Sequence, residues 1–141
     1  MTGVQTCALP IFGNPQCAIR VDDLATLEGL ELAAIGPLIE HDPRFPNRTN
    51  VSWWTELDQG EIRARIFERG VGETRSSGTG ACGAAIAHVL RGGDSPVRVV
   101  LDGGELDVEV GEDLHVDLAG WAVPVYAGEL APELLAALSA A

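Results

Sequence analysis

The sequence predicts an α+β fold: a curved, barrel-like sheet, antiparallel or mixed, wrapped around one buried helix, with a second helix outside. Three observations predict it. Short runs alternate apolar and polar side chains, the period-2 signature of half-buried strands. The stretch Thr79–Leu90 has almost no polar face, and a helix that is apolar all round belongs inside a protein. The stretch Leu24–Glu40 instead carries Leu24, Leu27, Leu30, Leu32, Ile35, Leu38 and Ile39 near helical spacing, with Glu28, Glu31 and Glu40 between them. That pattern is an amphipathic helix whose leucine stripe faces a core.

In chain order, Met1–Ile11 does not read as native. The string resembles the translation of a sequencing-library adapter and is set apart from fold reasoning. A signal peptide is the rival reading, but a basic leader and a long apolar stretch are missing. On the adapter reading the gene is truncated, and Cys7 has no function. Phe12–Gln16 is a turn by composition, and Cys17–Val21 a short strand with Cys17 packed inside. Asp22-Asp23 can cap the helix over Leu24–Glu40, with interruptions expected near Gly29 and at Gly36-Pro37. His41–Thr49 is a loop. Asn50–Leu57, the turn Asp58-Gln59-Gly60 and Glu61–Phe67 form a hairpin. Trp53 and Trp54 point to opposite faces and pack. After the central helix, Gly92-Gly93 act as C-caps. Strands follow at Val97–Leu101, Glu105–Val110, Leu114–Leu118 and Ala122–Ala127, Pro124 placing the last at an edge or a bulge. His88 reads as a satisfied core histidine, and Glu129–Ala141 as a short terminal helix. The domain division is thus 1–11, 12–130 and 131–141.

The 141 residues suit one domain, and the 46% apolar content suffices for a core. A net charge of −12 argues against nucleic acid and anionic membranes as partners. No apolar run approaches a membrane span. Cys7, Cys17 and Cys82 have neither zinc nor disulfide-framework spacing, so reduced, cytosolic thiols are the simplest account.

The chemistry concentrates in Glu68–Cys82, where a strand ends, a glycine-rich turn follows and a helix begins. A helix start offers unpaired N–H groups and the positive end of the dipole, so it binds anions. The plain reading of the loop is a tight turn capped by Ser77 or Thr79. Glu68-Arg69 beside it favours more: helix end and guanidinium suit the carboxylate of an amino acid, and Glu68 its ammonium.

Glu68-Arg69-Gly70-Val71-Gly72-Glu73-Thr74-Arg75-Ser76-Ser77-Gly78-Thr79-Gly80-Ala81-Cys82 resembles the second active-site motif of the diaminopimelate epimerase family. Gly13-Asn14-Pro15-Gln16-Cys17 and Phe45–Val51 match the same family in order and spacing. The resemblance runs from about Gly13 to about Leu130 and covers the C-terminal half of such an enzyme. It implies one of two pseudo-symmetric domains with the active site between them. It implies a cofactor-independent, metal-free isomerase that converts LL- to meso-diaminopimelate by two-base proton transfer at Cα, in the cytoplasm, for lysine and peptidoglycan precursor synthesis. Asn14, Asn50, Glu68 and Arg69 would bind the amino-acid substrate. Gly78 and Thr79 would hold its carboxylate, and Ser77 would occupy the acid/base position. The partners implied are the substrate, the missing N-terminal domain and, as one assembly, a second copy in a homodimer.

Two positions depart from the family pattern. The family's cysteine aligns with Ser77, and its histidine after the Asn-Pro pair with Gln16. A hydroxyl is a far weaker base than a thiol, so Ser77 suits proton donation better than abstraction. Cys82 lies more than a helical turn further in and reads as packing. A related racemase or dehydratase, and a non-catalytic small-ligand binder of the same fold, are the alternatives. The chain alone is expected to be inactive, because half a cleft cannot enclose a substrate.

Overall fold

The computed structural model describes residues 6–11 and 13–139. Its strands are β1 (Thr6–Ile11), β2 (Asn14–Arg20), β3 (Asn50–Asp58), β4 (Glu61–Glu68), β5 (Gly72–Thr74), β6 (Val97–Leu101), β7 (Gly104–Val110) and β8 (Val116–Ala119). Its helices are α1 (Leu24–Glu28), α2 (Leu32–Glu40), α3 (Gly78–Val89) and α4 (Pro132–Ser139). The strands form one mixed sheet in the order β1-β2-β3-β4-β6-β7-β8, with β5 pairing to β4 beside this path.

The pairs β2–β3 and β4–β6 are parallel, and the others are antiparallel. Parallel neighbours need a long crossover, and here each crossover carries helices. The β2-to-β3 connection holds α1 and α2; the β4-to-β6 connection holds α3. The sheet curls so far that α3 approaches every strand except β5.

Period-2 alternation sends successive side chains to opposite faces. On β4, Ile62, Ala64 and Ile66 join the inner core with α3, whereas Phe67 joins an outer core with Leu27 and Leu32 of α1 and α2. Trp54 packs in the inner core and Trp53 in the outer, as their adjacency requires. Arg63 and Arg65, also outward, are mostly covered. Arg63 donates to Glu28 Oε1 at 2.8 Å and pairs with Asp102. Arg65 donates to the carbonyls of Leu27 (3.0 Å) and Leu30 (2.9 Å), satisfying groups at the C-terminal end of α1 where a cation is favoured.

The expected long outer helix is two helices. Gly29 caps α1, and the chain restarts at Leu32. Gly36-Pro37, however, does not break α2, which runs through both. Gly36 lies flat against the Phe67 ring, where an added Cβ would fall 2.5 Å from ring carbons. That packing outweighs the missing N–H of proline.

Three further differences stand out. The segment set apart by its sequence contributes β1, which pairs antiparallel with β2 from Thr6↔Ile19 to Ile11↔Asn14; Met1–Gln5 lies outside the described residues. Strand β5 has no sequence signal, because three residues beginning at Gly72 carry no periodicity. The strand expected over Ala122–Ala127 does not form: these residues have no regular structure and are exposed, with Val125 and Tyr126 almost entirely so. Alternation alone does not make a strand without a neighbour to pair with. The terminal helix forms as α4 but buries no residue; Ala140 and Ala141 lie outside the described residues.

Candidate active site

Helix α3 begins at the site. Its first three turns carry Gly78, Gly80 and Gly83 among alanines, so sheet residues approach its backbone closely. A Cβ on Gly80 would fall 2.8 Å from Ile66 of β4, and one on Gly83 would fall 3.3 Å from Gln16 of β2. From β3, Ser52 donates from Oγ to the Gly80 carbonyl at 3.1 Å. Three adjacent strands thus touch the start of α3 through Gln16, Ser52 and Ile66.

Side chains on one strand face recur every second residue. Two residues further towards the same end lie Asn14 on β2, Asn50 on β3 and Glu68 on β4. Asn50 and Glu68 share one rung of the sheet with Gln16 opposite Asn50 on β2, and Asn14 stands one same-face step further out along β2, all beyond the N-terminus of α3. Asn50 and Glu68 stand one step past the Val51↔Phe67 pair. The Oδ1 atom of Asn14 is buried with no hydrogen-bond partner in the protein. An unpaired buried acceptor is costly, and a ligand N–H would satisfy it.

Asn50 is buried, and its Oδ1 accepts the backbone N–H of Arg69 at 2.7 Å. This oxygen therefore holds the end of β4 in place. Glu68 and Arg69 open a turn in which the Val71 N–H returns to the Glu68 carbonyl at 3.0 Å. Gly70, with φ +75°, takes the third position of that turn, where positive φ favours glycine. The Arg69 guanidinium donates to the Asn47 carbonyl at 2.7 Å, which fixes it to the preceding loop.

Ser77 is the N-cap of α3. Its Oγ accepts the Gly80 N–H at 3.2 Å, and the side chain is buried. The plain capping role is therefore real. It leaves the hydroxyl hydrogen available to donate, while a lone pair is engaged, which favours donation over abstraction. Gly78 lies under Leu118 of β8, whose Cδ2 would be 3.1 Å from an added Cβ. Thr79 is half-buried on the first turn. The structure thus gathers Asn14, Asn50, Glu68, Ser77, Gly78 and Thr79 at one end of α3 and ties Arg69 to the same turn.

Sequence reasoning missed Glu40. Its carboxylate is buried at the end of α2, and Oε1 accepts from the Gly70 N–H at 3.0 Å and from Arg48 at 3.2 Å. It braces the turn that carries Glu68 and Arg69. In the sequence it is indistinguishable from the exposed Glu28 and Glu31 of the same amphipathic stretch.

Cys82 is fully buried in the inner core. Burial pushes its thiol up to about 11, so it is no proton-transfer base near neutral pH. The unfolded chain ionises this thiol first, near 9.0. Its contribution to stability is complete below that pH and falls as pH rises towards about 11. The expected loss is about 3 kcal/mol at most. Urea unfolding from pH 8 to 11 should show this slope in the wild type and lose it in Cys82→Ala; equal slopes would contradict it.

The fold and this arrangement define a class. The PhzF-family phenazine biosynthesis protein of Bacillus anthracis superimposes with a TM-score of 0.51 at 22% identity, over 82% of this chain and 38% of that one. That likeness shows the fold, a curled sheet around a central helix. The sequence model described as diaminopimelate epimerase matches residues 11–129. The diaminopimelate epimerase of Ectopseudomonas mendocina is 43% identical over 129 residues, covering 90% of this chain and 45% of that protein. That of Halorhodospira halophila is 45% identical over 130 residues, covering 91% and 44%. The chain belongs to the diaminopimelate epimerase family, and it spans a little under half the length of these relatives.

Proposed function

We propose that this chain is the C-terminal half of a cofactor-independent isomerase that interconverts LL- and meso-diaminopimelate by moving the α-proton across Cα. The placement of Asn14, Asn50 and Glu68 on one sheet face beyond the capped start of α3 carries this reading. The substrate carboxylate meets the free N–H groups of Gly78 and Thr79, where the helix dipole favours an anion. The substrate ammonium meets Glu68 and the unpaired Oδ1 of Asn14. Arg69 adds positive charge on the carboxylate side. Ser77 delivers a proton to one face of Cα, and a base in the N-terminal half removes one from the other. The developing carbanion is stabilised by the same N–H groups. The whole protein acts in the cytoplasm, in lysine and peptidoglycan precursor synthesis, and a homodimer is its proposed assembly. This chain alone is inactive, because half of the cleft is elsewhere.

The test uses the full-length gene recovered from the source DNA. LL-diaminopimelate in heavy water, followed by NMR, should exchange its α-proton with stereoinversion. Glu68→Gln should weaken kcat/KM about 10- to 100-fold, the worth of one hydrogen bond to a charged group. No exchange and no binding in the wild-type protein would overturn the proposal.

A further inference from the structure

Helix α3 ends under an open cavity of about 460 Å³ whose wall includes Glu56, Asp58, His88, Arg91, Gly93 and Asp94. This volume is in the range of small-molecule sites. The cavity lies at the opposite end of the helix from Ser77, against the β3–β4 turn.

Its chemistry is specific. Three carboxylates and one guanidinium, Arg91, are among these lining residues, and the C-terminal end of a helix adds partial negative charge. His88 is 4% exposed, yet neither ring nitrogen has a hydrogen-bond partner. It is buried as expected but not satisfied, which corrects the core-histidine reading. Its Nδ1 lies 3.6 Å from Glu56 Oε1, beyond hydrogen-bond reach. The other oxygen of Glu56 accepts from Arg20 at 3.2 Å. The ring stands edge-on to Trp54, with centroids 5.7 Å apart. Gly93 closes over it so tightly that an added Cβ would fall 2.1 Å from Nε2. The ring is therefore clamped in place with its hydrogen-bonding capacity unused.

We infer that this cavity binds a small organic cation through a primary ammonium, with Glu56 and His88 as its principal acceptors. An ammonium has three donors and no acceptor. One such group bridging Nδ1 and Oε1 would donate to both. The remaining carboxylates, Asp58 and Asp94, are held by Gln59 (2.7 and 2.9 Å) and face a second positive group on the same molecule. A bare metal ion fits less well: no cluster of three or more ligating side chains occurs among the described residues.

The probe is putrescine, with 1,4-butanediol as its uncharged counterpart, titrated into the 15N-labelled full chain. Saturable shifts should concentrate at residues 56–60 and 88–94, with none from butanediol at equal concentration. Glu56→Gln should weaken putrescine at least tenfold; its side chain is half-exposed, so folding is little affected. Asp94→Asn serves as a second variant. Shifts spread over the acidic surface at large would show only attraction to the net charge of −12 and overturn the inference. So would equal shifts from butanediol, or unchanged affinity in both variants.

Discussion

Full-length protein carrying Ser77→Cys should exchange the α-proton of diaminopimelate about 10²- to 10⁴-fold faster than the serine form from the face served by residue 77, the range of positioned acid–base catalysis. Ser77 sits at the N-cap of α3, where its Oγ already accepts from the Gly80 N–H. A hydroxyl there can give a proton, but it is almost never ionised at neutral pH. A thiol has an ordinary value near about 8.5, and a helix N-terminus lowers it further. The same position would then hold a usable base. The readout is heavy-water exchange started separately from LL- and meso-substrate, because only the direction that needs abstraction by residue 77 should gain. Equal rates in serine and cysteine forms, with substrate bound by both, would remove residue 77 from proton transfer. Loss of binding in Ser77→Cys would show only that the cap cannot be altered, and Ser77→Thr would then separate capping from chemistry.

Trp54→Ala should cost about 3–5 kcal/mol of folding stability, the range for deleting a large buried aromatic side chain. Trp54 has no exposed surface, packs in the inner core, and meets His88 edge-to-face. Its removal empties the space between β3 and α3, and the clamped His88 ring cannot move to fill it. Urea denaturation of the chain measures the cost, and Trp54→Phe should recover most of it. A cost under about 1 kcal/mol would mean that the helix settles onto the sheet without the indole.

Much of this structure is legible in the sequence, for identifiable reasons. The alternation in Glu61–Phe67 and the all-apolar Thr79–Leu90 fix which strand faces which helix, because both patterns are read one residue at a time. Gly29 ends α1 because a short helix cannot afford a weak residue at its boundary. The continuity of α2 through Pro37 is not legible: it depends on Phe67, which is distant in sequence, lying against Gly36. The failed strand at Ala122–Ala127 has the right side chains but no described partner edge. At the site, the motif locates Asn14, Asn50, Glu68 and Ser77. That Asn14, Asn50 and Glu68 share one sheet face at the same end, however, follows from strand register, and the buried brace from Glu40 to Gly70 follows from the loop path. Neither leaves a trace in local composition.

Helix α3 is rich in glycine where most helices are rich in alanine and leucine. Each interior glycine costs roughly 1 kcal/mol of intrinsic helicity relative to alanine, and a dozen residues is marginal for a helix by itself. The segment therefore has no helical existence outside the sheet that surrounds it. Its N-terminal N–H groups are set in place only when β2, β3 and β4 have closed around it. The anion recognition proposed for this helix end is accordingly a property of the finished fold, gained and lost together with it.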